Sequence, residues 1–334
     1  MPRPHVASDA RWDLLRRAQC ECAPVLRTAV DWLGEPFETM AAYHLGWDVG
    51  GSSGKSIRAA LVLGAAAACG DTSAAAPAAA AVELIHNFSL LHDDVMDQDA
   101  TRRGRPTVWA VWGQTNAILL GDALHALASR VLADMLRPAV AVRAVLRLQS
   151  ACVALCVGQF HDCAFETRPA ITVDEYLRMA AGKTAELMGC ACALGALSAR
   201  ADTETTSALE QFGYQLGLAF QIVDDVMGIW GDPKVTGKPV GNDLFRRKAT
   251  LPVVAALNSD SEAGFELAQL YQSTAPMTVD DVARATELVE AAGGRQAAHR
   301  HIDERSRAAI AALPDRVRSE DLIALAQLVV DRDR

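Results

Sequence analysis

Apolar residues recur at three- and four-residue intervals along most of this chain, and no stretch shows the two-residue alternation of a half-buried strand. Residues 9–35 read as an amphipathic helix with Trp12, Leu15, Ala18, Val25, Ala29 and Leu33 on one side. A second helix is predicted over 37–45, then a Gly/Ser-rich loop from Gly46 to Gly54, then a helix from Lys55 to Cys69. After a polar break, an Ala-rich helix runs from Ala78 into a group of aspartates. Long helices follow over 115–136 and from Pro138 to about Phe165. Thr172 and Glu175 have the spacing of a capping box, as do Thr278 and Asp281. Gly182 and Lys183 interrupt the helical pattern near Ala181, and residues 203–230 resume it. Gly231 to Lys248 is the one long irregular segment, with three Gly, two Pro and five basic residues, and is expected to be a functional loop. The remainder reads as helices broken at Gly293-Gly294, so the fold class expected is all-α.

Two features of the pattern carry chemistry. The Ala-rich helix ends in Leu90-Leu91-His92-Asp93-Asp94-Val95-Met96-Asp97, and Arg102-Arg103-Gly104-Arg105-Pro106 follows. Asp93 and Asp97 are four residues apart and share one helix face, where like charges repel. They also lie near the helix C-terminus, which disfavours anions. Such a placement gains stability only when a cation arrives, and a hard divalent ion sharing its sphere with phosphate suits it. Arg102 and Arg103 are phosphate-type donors. The second feature echoes the first: Phe220-Gln221-Ile222-Val223-Asp224-Asp225-Val226-Met227-Gly228 again places Asp-Asp-Val-Met after apolar residues. Two such helices can face one another across a bundle core, as bundle metal sites require.

Composition narrows the reading. The 334 residues are 51% hydrophobic and 22% charged, enough for a large core, and one domain over 1–334 is expected because the acid clusters, far apart in sequence, must meet. A net charge of −9 disfavours nucleic acid as a partner. Eight cysteines without a Cys-x-x-Cys pair predict reduced thiols in the cytoplasm, with Cys152, Cys156 and Cys163 as core residues. Met1 to Ser8 shows no apolar leader segment, and no run of roughly 18 uncharged apolar residues predicts a membrane anchor.

From Gly54 to about Pro252, the order and spacing of these motifs resemble the trans-isoprenyl diphosphate synthases, the polyprenyl synthetase family. The resemblance implies an isoprenoid-synthase-type helical bundle around a central apolar cavity, acting as a homodimer that joins isopentenyl diphosphate to allylic diphosphates. It implies three Mg²⁺ ions, with Asp93, Asp97 and Asp224 as direct ligands and Asp94 and Asp225 in support. Lys55, Arg58, His86 and Arg103 match the isopentenyl diphosphate site. Arg102, Lys183 and Lys238 match the allylic diphosphate donors, with Thr184, Gln221 and Lys248 as further members. Gln159 and Asp162 match a Gly-Gln-x-x-Asp element lining the same cavity, and Asp122 is given a structural role. Segment 234–248 would be a lid. No side chain stands out as the final base, a role the family gives to released diphosphate.

The chain departs from the family at Gly228, where many members have a third aspartate; Asp232 is the sequence candidate to compensate. Phe88, five residues before Asp93, and Ser89 match positions that set product length. One aromatic there, with the short first motif, resembles synthases of the twenty-carbon geranylgeranyl diphosphate. Farnesyl or longer products are the alternatives. A terpene cyclase would not need Lys55, Arg58, His86 and Arg103 together, and a non-catalytic partner subunit could lose an acid motif that this chain keeps.

Overall fold

The intervals of three and four resolve into helices in a computed structural model of the chain, which describes residues 6–49, 54, 56–168, 170–232, 240–273 and 275–331. The helices are α1 (Val6–Asp31), α2 (Phe37–His44), α3 (Ile57–Ala68), α4 (Ala76–Met96), α5 (Val108–Trp112), α6 (Gln114–Met135), α7 (Pro138–Phe165), α8 (Val173–Ala180), α9 (Glu186–Ser198) and α10 (Thr203–Trp230). They continue as α11 (Asn242–Phe245), α12 (Leu251–Leu257), α13 (Glu262–Gln272), α14 (Val279–Ala291), α15 (Gly294–Ala312) and α16 (Glu320–Val330). Both predicted capping boxes form, Thr172 with Glu175 and Thr278 with Asp281. The predicted interruption at Gly182-Lys183 is one wide turn of π-helix, Ala181–Ala185.

Two expectations change. α1 ends at Asp31 rather than 35, and it buries Leu15, Ala18, Cys22, Leu26 and Ala29 while Trp12 is exposed. The segment after the first acid cluster is a minimal hairpin, β1 (Thr101–Arg102) paired with β2 (Arg105–Pro106). Its two turn residues, Arg103 (φ 52°) and Gly104 (φ 74°), are both left-handed, the conformation that a two-residue hairpin turn demands.

The chain divides into two compact units. The first comprises Met1–Cys152, Cys190–Glu210 and Leu313–Leu325. Its centre is α4, buried on every side from Ala78 to Ile85. The many alanines there let α1, α3 and α6 approach it closely, as a helix buried all round requires. The second comprises Val153–Gly189, Gln211–Ala312 and Ala326–Arg334. Leu218, Ile222, Val223 and Val226 of α10 pack there with Tyr176, Leu251, Val254 and Ile302. A neighbouring cluster joins Ile229 to Leu244, Val253, Leu267 and Leu288.

α7 is long and apolar enough to cross a membrane by length and composition, although Arg143 and Arg147 interrupt it. Cys152 is buried in it, but Cys156, expected in the core, is exposed.

Candidate functional site

In the first unit, the aspartates sit where the sequence places them. Asp93 is in the last turn of α4, and Asp97 is its C-cap, its N–H donating to Asp93 O at 2.8 Å. Asp94 turns inward and is 1% exposed. Its Oδ1 accepts from Arg102 Nε at 2.7 Å, while Oδ2 is buried with no partner among the described residues. Burial pushes the Asp94 carboxyl up to about 6 even though the Arg102 cation pulls the other way. Burial therefore outweighs the ion pair.

The hairpin that carries Arg102 and Arg103 is clamped. Asp99 O accepts from Thr107 Oγ1 and Trp109 Nε1, both at 2.9 Å. Arg105 makes a two-pronged bond to Asp48, at 3.1 and 2.7 Å, and lies over the Tyr43 ring. Gly54 packs so closely on the Arg103 guanidinium that a Cβ there would lie 3.1 Å from its Cζ. That contact sets the start of the Gly-Lys-x-x-Arg segment beside Arg103. Arg58 Nη1 reaches His86 Nε2 at 3.3 Å. Burial, then Arg58 and Arg103, hold His86 well below its ordinary value, so the ring is neutral. Arg103 is itself held down by burial and by Arg102. Three guanidinium groups, of which Arg58 is buried and Arg103 exposed, and a neutral imidazole in one corner favour an anion there. Lys55, the remaining member of this set, lies outside the described residues.

A cavity of about 210 Å³ beside the hairpin is lined by His44, Asp94, Arg102 and Arg103. Below the aspartates, Phe88 is buried, with the rings of His92 and His125 at 4.9 and 5.4 Å. Ser89 Oγ bonds back to His86 O at 2.8 Å. Asp122 is exposed and stands 3.7 Å from His92 Nε2.

In the second unit, the π turn and α10 organise the polar groups. Gly158 and Gly182 let α7 meet the π turn backbone to backbone: a Cβ on Gly182 would be 2.7 Å from Ala154 O. That approach brings Lys183 Nζ to Asp162 Oδ2 at 2.5 Å. Burial raises Asp162, but the cations of Lys183, Lys248 and Arg246 outweigh it and hold the carboxyl below its ordinary range. Gln159 is buried one turn away, its amide on Cys163 Sγ. From the same turn, Thr184 Oγ1 donates to Gln221 Oε1 at 2.7 Å, and Gln221 Nε2 donates to Asp225 Oδ1 at 3.1 Å.

Asp225 is a hub. Its Oδ2 accepts from the Tyr176 hydroxyl and from Leu251 N–H. Burial pushes it up to about 7 against those two donors. Asp224, its neighbour, is only partly buried and points elsewhere on the helix. Lys248 is exposed, with its N–H on Asp243 O at 2.8 Å. Lys238 lies outside the described residues.

Asp232 does not lie at Gly228; it is exposed past the end of α10. The carboxylate against Gly228 is that of Asp243, whose Cγ would be 2.6 Å from a Cβ at 228. Among the described residues, no three His, Cys, Asp or Glu side chains stand close enough to hold a metal ion alone. The donors are carboxylate oxygens, and they fit an ion such as Mg²⁺ that completes its sphere with water and phosphate oxygen.

Reading the sequence missed several of these groups. Glu83, 3% exposed, accepts the Ala59 N–H at 3.1 Å and caps the first turn of α3, whose own N-cap Ser56 makes no side-chain capping bond. A lone Glu at helical spacing in an Ala-rich run was the available signal. Tyr176, Asp243 and His44 had none, because each matters only through a contact distant in sequence.

Paired aspartates in each unit, with guanidinium and ammonium groups around them on an all-helical frame, define a protein of the isoprenoid synthase fold that handles diphosphates. Residues 41–289 match the polyprenyl synthetase family, and the chain belongs to that family, the trans-isoprenyl diphosphate synthases. It is 65% identical over 335 residues to a geranylgeranyl diphosphate synthase of Mycobacterium tuberculosis, covering 98% of this chain and 96% of that one. The crystal structure of a polyprenyl synthetase from Streptomyces coelicolor A3(2) superposes with a TM-score of 0.90 at 44% identity, covering 95% and 99% of the two chains. A geranylgeranyl pyrophosphate synthase from Corynebacterium glutamicum, complexed with isoprenyl diphosphate and magnesium, matches with a TM-score of 0.82 at 27% identity over 96% and 98%.

Proposed function

We propose that this chain is a Mg²⁺-dependent synthase of geranylgeranyl diphosphate, working as one catalytic domain over 1–334. The observation that carries the product is the 65% identity, over 98% of the chain, to a protein of that activity. The single aromatic Phe88 below the first acid cluster agrees with it.

In the reaction, the allylic carbon–oxygen bond breaks and diphosphate leaves with the bonding pair. The allylic cation forms a carbon–carbon bond to the alkene of isopentenyl diphosphate, and a proton is then lost to the released diphosphate. When bound, Mg²⁺, three ions in this reading, neutralises the leaving group. Asp93, Asp97 and Asp224 would hold it, with Asp94 and Asp225 fixing their surroundings. Arg102, Lys183 and Lys238, with Thr184, Gln221 and Lys248, would bind the allylic diphosphate. Lys55, Arg58 and Arg103 would bind that of isopentenyl diphosphate by charge-assisted bonds, and neutral His86 would add a hydrogen bond without charge. Excluding water protects the cation.

A homodimer belongs to the same proposal. Val142, Leu146, Val153, Val157 and Phe160 of α7 recur at helical spacing and are each more than half exposed. A second copy would cover that face; sedimentation velocity showing a monomer at micromolar concentration would overturn it. The cytoplasm is the compartment proposed.

The test is a product assay with Mg²⁺, isopentenyl diphosphate and, separately, dimethylallyl, geranyl and farnesyl diphosphates, reading the dephosphorylated alcohols by mass. A dominant twenty-carbon alcohol, abolished by chelator, is expected. Other lengths overturn the product; a cyclic hydrocarbon without consumption of isopentenyl diphosphate overturns the reaction. Phe88→Ala should lengthen the product by at least one five-carbon unit, and an unchanged distribution would remove Phe88 as the floor.

A further inference from the structure

The segment that carries Lys55 and Arg58 starts from a backbone that does not hold itself. Gly54 has φ 114°, a conformation that residues with a Cβ rarely adopt, and Ser56 is left-handed at φ 47° although it is not glycine. Ser56, the N-cap of α3, makes no side-chain capping bond. A backbone bent in this way keeps its shape only where the surrounding structure fixes it. We propose that α1 does so: Gln19 is a positioning residue for the isopentenyl diphosphate site, holding Gly54 so that Lys55, Arg58 and Arg103 meet one diphosphate. The inference rests on the prenyl-transfer reading above.

Three observations support it. First, Gln19 Nε2 donates to Gly54 O at 2.6 Å, a bond between residues 35 apart in the chain. Second, the residue it holds is the one that packs on the arginine hairpin: a Cβ at Gly54 would lie 3.1 Å from Arg103 Cζ. The carbonyl that Gln19 holds and the Cα that meets Arg103 belong to one residue, so the bond to α1 also sets the spacing between this segment and Arg103. Third, the donor is firmly mounted. Ala18 and Cys22, on either side of it in α1, are buried, and Gln19 itself is partly buried. Cys22 lies beside Glu83, which accepts the Ala59 N–H at 3.1 Å. The segment is thus anchored at Gly54 by α1 and at Ala59 by α4, and Lys55 and Arg58 lie between the two anchors.

The contact has a one-sided consequence. The allylic donors are held by other groups, Arg102 by Asp94 and Lys183 by Asp162. Loosening Gly54 should therefore be felt by isopentenyl diphosphate and not by its allylic partner, because only the first substrate's cations depend on that carbonyl for their spacing.

The test separates the two substrates. Consumption of isopentenyl diphosphate is measured with geranyl diphosphate as partner, varying each in turn, for wild type, Gln19→Met, Gln19→Ala and Gln19→His, alongside thermal denaturation. Gln19→Met keeps the length of the side chain and removes the donor, and Gln19→Ala carries the test if the Met variant unfolds. Either should raise KM for isopentenyl diphosphate about fivefold, the size of one net neutral hydrogen bond. KM for geranyl diphosphate and kcat should stay within about twofold, the pattern of lost binding to one substrate. Gln19→His places a ring Nε2–H at a similar reach, uncharged at about pH 8, and should bring KM for isopentenyl diphosphate back to within about twofold of wild type. An unchanged KM in the folded Met and Ala variants, both KM values raised alike, or a His variant as weak as Ala would overturn the inference and leave the prenyl-transfer reading intact. So would a lowered melting temperature without the one-sided change in KM, which would make Gln19 a tie for α1 alone. A wild type that consumes no isopentenyl diphosphate would overturn the reading beneath it, and the inference with it.

Discussion

The two acid clusters share the tetrapeptide Asp-Asp-Val-Met and use it differently. Asp93-Asp94-Val95-Met96 closes a helix, and Asp97 caps it. Asp224-Asp225-Val226-Met227 lies before the end of a 28-residue helix that continues to Trp230. The second aspartate of each is buried, 1% exposed for Asp94 and 4% for Asp225, but their partners differ in kind. Asp94 is held by a cation, Arg102. Asp225 is held by neutral donors, the Tyr176 hydroxyl and the Leu251 N–H. A charge offsets burial at the first cluster; hydrogen bonds to a packed core do so at the second. The same four letters thus make one cluster part of an arginine-rich hairpin and the other the peg on which α12 begins.

Three experiments separate the clusters further. The largest effect should come from the aspartates they share by proposed role: Asp93→Ala or Asp224→Ala should each lower turnover by about 10³ with the helical circular dichroism intact, a loss on the scale of removing a preorganised electrostatic group. Near-normal turnover from either would end the symmetry of role. Next, removing the partner of each buried aspartate should cost unequally. Arg102→Ala strands a carboxylate that is 2% exposed by side chain and should destabilise by about 3 kcal/mol in urea unfolding. Tyr176→Phe leaves Asp225 its bonds to Leu251 and Gln221 and should cost about 1 kcal/mol. Equal losses would mean that the two aspartates are held alike.

The smallest effect concerns the surroundings of the first cluster. Burial, then the cations Arg102 and Arg103, pull His44 from 6.5 down to about 3. Between those values the unfolded chain binds a proton that the folded chain refuses, so this group's share of stability is present above 6.5 and is lost as the pH falls toward 3. Wild type should therefore lose more stability than His44→Leu between about pH 7 and about pH 4 in paired denaturation curves. Parallel losses would show that neither burial nor the cations of the hairpin hold His44 down.

Element order was legible from the pattern of apolar residues because helices bury a stripe, and a stripe repeats. α7 and α10 have the predicted bounds, and both capping boxes are local motifs whose partners lie three residues apart. The predicted face of α1 holds at Leu15, Ala18 and Ala29 but not at Trp12, which reads as core by composition yet lies outside in the fold. The hairpin at Arg103-Gly104 escaped notice because two residues per strand are too few to show alternation. Among the candidate site residues, Arg102, Arg103, Asp93 and Asp97 were visible because their motifs are continuous in sequence.

What the chain order alone decided, then, was which helices form and which of their turns carry charge, since both depend on residues within one or two turns. What the tertiary structure decided was every partnership across elements: Glu83 with the start of α3, Tyr176 with Asp225, Gly54 with Arg103 and Asp243 with Gly228. The physical reason is that a buried polar group must find a partner wherever the fold supplies one, and sequence spacing does not constrain that search. Gly228 looks like a lost ligand in the sequence; in the fold it is the space that the Asp243 carboxylate occupies.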